Sequence, residues 1–134
     1  MSGSVVPGFR YKDPARAVDW LCAAFGFERH LVVPGENGSV QHAQLTFGTG
    51  MIMLGPAGDD EYGRLMAQPA EIDGRVTQSA YVVVSDVDAH CAVATAAGAK
   101  IVMPPEDQPY GGRLYVCRDI ESHLWNFGSY NPWA

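Results

Sequence analysis

Lysine and cysteine are among the residues this chain has least of. Only two of its nine basic residues are lysines, Lys12 and Lys100, against fifteen acids and a net charge of −6. A surface that tracks phosphates needs a basic stripe, and none can be drawn here, so nucleic acid is excluded as a partner. Cys22, Cys91 and Cys117 are odd in number, widely spaced and never in a C-x-x-C pair. That pattern excludes a disulfide framework or a thiolate zinc site and suits a reducing cytoplasm. No apolar run reaches the length that crosses a bilayer. The opening Met1-Ser2-Gly3-Ser4 lacks the charged and apolar segments of a signal peptide, so the expected location is cytoplasmic, with no membrane partner. Asn37-Gly38-Ser39 matches a glycosylation sequon but reads as a turn. Neither a G-x-S-x-G elbow nor a P-loop is present, and Gly48-Thr49-Gly50 lacks the next glycine of a dinucleotide fingerprint.

What remains is a globular composition: 134 residues, 47% hydrophobic, 18% charged and 10% aromatic. One domain of this length, residues 1–134, buries roughly two-thirds of its unfolded surface. Two helices are marked by their ends. Asp13-Pro14 supplies an N-cap and a proline at the first helical position, and Gly26 a left-handed stop. Between them Ala17, Val18, Leu21, Ala24 and Phe25 fall on one face. Asp86 caps the second helix, Val87, Cys91, Ala94 and Ala97 form its stripe, and Gly98 closes it. Strands are predicted at 9–12, 28–33, 40–47, 51–54, 79–84, 100–103, 113–118 and 123–127.

The order is therefore β-α-β-β-β, a Gly-, Pro- and acid-rich linker, and β-α-β-β-β. Module boundaries are expected at 4–55 and 79–128, with the linker at 56–78 and a tail at 129–134. A shift of 73 lays Asp13 on Asp86, Val18 on Cys91, Leu21 on Ala94 and Gly55 on Gly128. Identity is slight, but caps, helix stripes and strand-final glycines coincide, which is the signature of a duplicated unit.

Several segments carry a family resemblance. They are Tyr11-Lys12-Asp13-Pro14, Ala24-Phe25-Gly26-Phe27-Glu28, His42-Ala43-Gln44-Leu45, Val84-Ser85-Asp86-Val87-Asp88-Ala89, Gln108-Pro109-Tyr110-Gly111-Gly112-Arg113 and Asp119-Ile120-Glu121-Ser122-His123-Leu124-Trp125. In order and spacing the chain resembles the vicinal oxygen chelate superfamily, and most of all its short glyoxalase and bleomycin-resistance-like members. The final turn departs from the family's usual Asp-Pro-acid-Gly-His by having Ile120 and Ser122, and a serine there restricts positive φ. The resemblance implies an α+β fold of two tandem βαβββ modules, curled into a cup-shaped mixed sheet with helices on the convex face. It also implies metal ligands, in metal-dependent members, at positions that here are Val6, Met53, Ser79 and Asn126. None of these is an imidazole or carboxylate, so no metal and no other cofactor is expected.

Strand parity then lines the cup. Ala43, Leu45 and Phe47 must cover a helix, which turns His42, Gln44 and Thr46 to the concave side; a plainly solvated strand face is the alternative. Met51, Met53, Leu124 and Asn126 face in, with Ile52, Leu54, Trp125 and Phe127 under the helices. Val6, Gly8 and Arg10 face in, as do Ser79, Tyr81 and Val83. The seventh strand, mapped onto the third, places Arg113, Tyr115 and Cys117 inside. His30, His90 and His123 stand apart from these, His90 on the exposed side of its helix.

Methionine and tyrosine walls with a few polar fixtures suit a mid-sized aromatic ligand. The candidate ligand-binding residues are Arg10, His42, Gln44, Met51, Met53, Tyr81, Arg113, Tyr115, Asn126 and Trp133, with no catalytic residue among them. Trp133 in the tail would pack on a partner subunit, close over the cup or cover its own sheet, and Tyr62, Leu65 and Met66 are lid or dimer candidates. The leading expectation is a homodimeric, metal-free protein that sequesters an aromatic or antibiotic-like molecule. A lyase, isomerase or dioxygenase of the same superfamily is the first alternative. A dimeric interaction module whose cup is filled by its own side chains is the second.

Overall fold

The computed structural model describes residues 2–134. Eight strands and two α-helices follow the chain in the predicted order. β1 (Gly8–Tyr11), α1 (Pro14–Phe25), β2 (Glu28–Pro34), β3 (Val40–Phe47) and β4 (Gly50–Pro56) form the first module. β5 (Ala80–Val83), α2 (Val87–Ala96), β6 (Lys100–Asp107), β7 (Arg113–Arg118) and β8 (Leu124–Gly128) form the second. Each module is a four-stranded mixed sheet, ordered β1-β4-β3-β2 and β5-β8-β7-β6. In each, the first strand runs parallel to the last and the other pairs are antiparallel. The fold is thus α+β, with the tandem βαβββ arrangement. Between β4 and β5 the chain forms two single 3-10 turns, Gly63–Leu65 and Pro69–Ile72, and it divides into two compact units after Gln68. No helix among the described residues is long and apolar enough to cross a membrane.

The helices form where their caps say they should. Asp13 accepts from the Arg16 amide at 3.1 Å and Asp86 from the Ala89 amide at 3.0 Å, each removing one of the donors a helix start leaves unpaired. Gly26 ends α1 in the left-handed conformation at φ 89°. α1 buries Ala17, Val18, Leu21, Ala24 and Phe25, while α2 buries the smaller Val87, Cys91 and Ala94. Against α1 the first sheet packs Tyr11, Ala43, Leu45, Ile52 and Leu54, all buried, and the alternate residues of the same strands are left off the core.

β6 continues four residues past the predicted end at 103, reaching Asp107 across Pro104 and Pro105. Prolines are tolerated there because β6 is an edge strand, and its register breaks between Met103 and Glu106 where they fall.

The second module departs from the expected repeat at one point. Sequence parity placed Arg113, Tyr115 and Cys117 on the face away from the helix. Instead Tyr115 and Cys117 are buried and pair across the ladder with Phe127 and Trp125, the helix-side residues of β8. Directly opposed residues share a face, so all of β7 is turned over relative to the mapping. The cause is the hairpin. Gly48 and Thr49 separate Phe47 from its partner Gly50. Between Asp119 and His123, joined by an amide–carbonyl bond of 3.0 Å, lie Ile120, Glu121 and Ser122. One extra turn residue slips the register by one, and a one-residue slip moves every side chain to the opposite face.

That turn is held by Asp119, only 6% exposed. Its Oδ1 accepts from the amides of Glu121 at 2.9 Å and His123 at 3.0 Å, and its Oδ2 accepts from the Trp125 indole at 3.0 Å. Ser122 takes up the left-handed conformation, φ 71°, that glycine would adopt more easily.

Candidate functional site

With α1 on one side, the other face of the first sheet carries the residues of opposite parity. Gln44 is paired with Met53 and with Leu31, Thr46 with Met51, and His42 with Val33. His42, Gln44, Met51 and Met53 are each half-buried. The Gln44 Nε2 amide lies 3.2 Å from His42 Nε2; an amide nitrogen can only donate, so the ring nitrogen accepts. Arg10 belongs to the same face. Its guanidinium lies over Gly55, where an added Cβ would stand 2.8 Å from Arg10 Nη1, and the Tyr62 ring stacks on it at 4.8 Å. Five of the predicted residues, Arg10, His42, Gln44, Met51 and Met53, therefore share one helix-free sheet face. Tyr62 joins them from the segment after β4, and Leu31 and Val33, which sequence reasoning did not single out, extend the face along β2. Their signal was available in the apolar run 31–33, which alternates across an edge strand.

The second sheet has its own helix-free face, with Tyr81 paired to Asn126, and Val83 to Gly128. Asn126 Nδ2 donates to Ser79 Oγ at 2.9 Å and to the Ala80 carbonyl at 3.0 Å. The Tyr81 hydroxyl donates to the Tyr130 carbonyl at 2.6 Å. Partial burial pushes the Tyr81 hydroxyl above its ordinary pKa, with Tyr110 and Tyr130 nearby adding to the shift. Tyr110 and Tyr130 meet edge to face, ring centroids 5.3 Å apart. Trp133 lies beyond them and is 96% exposed.

Arg113 and Tyr115 do not join this face, which corrects the sequence-based assignment. Arg113 is tied to Asp88 of α2 and to Asp107, each at 3.2 Å, and these bonds raise its pKa further. Tyr115 is fully buried, stacks on Phe127 at 5.3 Å, and its hydroxyl meets His90 Nδ1 at 2.6 Å. His90, expected on the exposed side of α2, instead points at the sheet, 4.3 Å from the Phe127 ring centroid. Burial drives the Tyr115 hydroxyl far above its ordinary range and pushes the Cys117 thiol up to about 12, so neither is a nucleophile or base near neutral pH. In their place β7 turns Leu114, Val116 and Arg118 to the helix-free face, with Val116 opposite Asn126.

The positions that the resemblance gives to metal ligands fit a divalent ion poorly. Val6 has no donor, and the Met53 thioether is too soft for a hard ion. Ser79 and Asn126 are neutral and already bonded to each other, with both Asn126 amide hydrogens engaged. Among the described residues no group of three or more His, Cys, Asp or Glu is placed to hold a metal.

Comparison with known proteins agrees with the duplicated architecture. Residues 5–127 match the model of the Glyoxalase/Bleomycin resistance protein/Dioxygenase superfamily. Over 116 residues, 87% of this chain, it is 33% identical to the uncharacterized protein Rv0887c of Mycobacterium tuberculosis, covering 68% of that protein. The crystal structure of TioX from Micromonospora sp. ML1 superposes with a TM-score of 0.76 at 40% identity, covering 97% of this chain and 100% of that one. A fosfomycin resistance protein, FosX, from Listeria monocytogenes, complexed with Mn(II) and 1S,2S-dihydroxypropylphosphonic acid, gives a TM-score of 0.70 over 98% of this chain and 93% of that one. Its 16% identity shows a shared fold and no more. The family match, spanning nearly the whole chain, and the two βαβββ modules lead to one conclusion: this protein belongs to the glyoxalase/bleomycin resistance protein/dioxygenase superfamily.

Proposed function

We propose that this protein binds a mid-sized, partly aromatic, antibiotic-like small molecule and holds it without bond chemistry and without a metal. The observation that carries the reading is the helix-free face of the first sheet. Met51, Met53, Leu31 and Val33 give it polarizable and apolar area, while Arg10, His42 and Gln44 give it orienting polar groups. Methionine adapts to irregular or planar ligands at little cost, and a few fixed polar groups set orientation, which is the mixture that small-molecule sites use. Cys117 and Tyr115, raised by burial, lie on the helix side of the second sheet and offer no nucleophile near neutral pH. The bleomycin-resistance members named in the family's description are consistent with a drug-like ligand. In this reading the chain works as a homodimer in the cytoplasm, and the exposed Trp133 lies against the second copy or the ligand.

The test is a thermal-shift and intrinsic-fluorescence screen of the purified protein against planar aromatic and peptide antibiotics, with elemental analysis of the same sample. Binding that Arg10→Ala and Met53→Ala weaken without lowering Tm supports the proposal. Stoichiometric bound metal, or turnover of a ligand, would overturn the metal-free, non-catalytic assignment. Sedimentation of wild type and Trp133→Ser checks the dimer.

A further inference from the structure

The two strand-final glycines do something that backbone conformation does not require. Neither Gly55 nor Gly128 is among the residues with positive φ, so each could carry a side chain as far as its backbone is concerned. What crowds one is a neighbouring side chain whose end rests there, joined at Gly55 by the Gln41 carbonyl at 3.3 Å. A Cβ on Gly128 would stand 2.5 Å from the Tyr81 hydroxyl and 3.0 Å from two ring carbons. The equivalent Cβ on Gly55 would meet the Arg10 guanidinium at 2.8 Å. Gly55 and Gly128 are repeat-related, and in each module the end of a π-bearing side chain, Arg10 or Tyr81, rests against that glycine.

In the second module this arrangement is fixed from several sides. The hydroxyl end of the Tyr81 ring rests against Gly128, and the hydroxyl is anchored on the Tyr130 carbonyl at 2.6 Å. It is nonetheless 38% exposed, so aromatic surface remains available to a ligand. Beside it in register is Asn126. The Ala80 carbonyl can only accept, so the Asn126 atom facing it must be the amide nitrogen, and the second bond to Ser79 uses that nitrogen's other hydrogen. The Asn126 Oδ1 is then left as an acceptor on the face that Tyr81 occupies.

We propose that Tyr81, its ring seated against Gly128, is a stacking platform for a planar aromatic ring that carries an N–H or O–H donor, which Asn126 Oδ1 accepts, with Gly128 as the positioning residue. This deepens the small-molecule reading above and rests on it: it names the ligand's chemical class and the residues that select it. A stacked aromatic pair contributes beyond area burial, so losing the ring while keeping apolar bulk should weaken binding about three- to tenfold.

The probes are 2-naphthol, its donor-blocked analogue 2-methoxynaphthalene, and the saturated 2-decalol, titrated into the full chain and followed by NMR of the Tyr81 ring and of the methionine methyls. The expected order of affinity is 2-naphthol, then 2-methoxynaphthalene, then 2-decalol, with upfield shifts of ligand protons over the ring. Tyr81→Leu should weaken 2-naphthol about three- to tenfold and remove its advantage over 2-decalol. Gly128→Ala should do the same with Tyr81 intact, a result that a merely structural tyrosine would not give. Asn126→Leu should abolish the difference between 2-naphthol and 2-methoxynaphthalene and leave stacking in place. If Gly128→Ala fails to fold, Tyr81→Leu and Asn126→Leu decide the matter. Unchanged affinities in those variants, with binding retained and shifts confined to Met51 and Met53, overturn the platform and leave the small-molecule reading standing. Failure of the wild type to bind any probe up to its solubility limit overturns the platform, and a blank antibiotic screen then removes the wider reading as well.

Discussion

Asp119→Ala should be among the most damaging single changes available to the second module. The carboxylate is 6% exposed and accepts three hydrogen bonds, from two backbone amides and the Trp125 indole, at 2.9–3.0 Å. A hydrogen bond to a charged group contributes about 1.5–3 kcal/mol, so simple addition would exceed about 4.5 kcal/mol. Bonds that share an acceptor are not additive, and the turn relaxes toward water once released, which brings the expected loss to about 3–5 kcal/mol. Urea denaturation followed in parallel by far-ultraviolet circular dichroism and tryptophan fluorescence measures it, and in a thermal scan the loss corresponds to about 10–18 °C. Asp119→Asn isolates the indole bond, because an amide can still accept from the two backbone donors but turns its NH2 toward the Trp125 N–H. A double-mutant cycle of Asp119→Asn with Trp125→Phe should therefore show a coupling of about 1–2 kcal/mol. A loss below about 1 kcal/mol for Asp119→Ala, or no coupling in the cycle, would refute the claim that this carboxylate fixes the turn.

Other perturbations test other levels of the structure. Leu45→Ala, at a fully buried position, should cost about 2–5 kcal/mol in chemical denaturation. Leu65→Ala, 78% exposed, should stay within about 0.5 kcal/mol in the same assay. Removing the α1 cap by Asp13→Ala should cost about 1 kcal/mol and fray the first turn in amide exchange. Cys117, pushed up to about 12 from an ordinary 9.0, should resist Ellman's reagent at pH 8 until the protein is denatured. Cys117 and Tyr115 both have folded pKa values raised above their unfolded ones, so the unfolded chain loses those protons first. The contribution of Cys117 is full below about pH 9 and falls as the pH climbs from 9 toward 12, and that of Tyr115 is full below about pH 10 and falls above it, by up to about 1.4 kcal/mol per pH unit for each group. Denaturation midpoints between pH 8 and 11 should decline accordingly, and Tyr115→Phe should flatten the decline.

Much of the architecture was legible because local chemistry announces it. Asp13-Pro14 and Asp86 cap helices wherever they occur in such patterns, and the stripe Ala17, Val18, Leu21, Ala24 and Phe25 has only one way to be buried. On β3 the apolar set Ala43, Leu45 and the polar set His42, Gln44 alternate cleanly, so parity assigned both faces. β7 offers no such contrast. In Arg113-Leu114-Tyr115-Val116-Cys117-Arg118 either alternate set can be buried, and the repeat was the only guide to which. The guide failed because register is decided in the turn, where Asp119 closes three residues instead of two, and nothing in the strand itself records that count. His90 was misplaced for a related reason. A lone imidazole on a short helix of small residues looks exposed until a buried tyrosine hydroxyl is known to face it.

The same single residue also sets the chemistry of the second sheet's helix-free face. Had β7 followed β3, Tyr115 and Cys117 would have stood on that face, two groups able to donate hydrogen bonds. The slip sends both into the core, where burial holds their protons, and brings Val116 opposite Asn126. Aromatic surface on this face then falls to Tyr81, from a strand whose own register is untouched: Gly8 pairs with Met53 in the first module as Tyr81 does with Asn126 in the second. A ring at position 81 can take this place only because position 128 has no side chain, and the two positions face each other only while β8 stays paired to β5. The turn at Asp119 and the glycine at 128 thus act on one surface from opposite ends of β8, the first by removing reactive side chains and the second by seating a flat one. A face that has lost the Tyr115 hydroxyl and the Cys117 thiol and carries an anchored ring is better suited to holding a molecule than to transforming it.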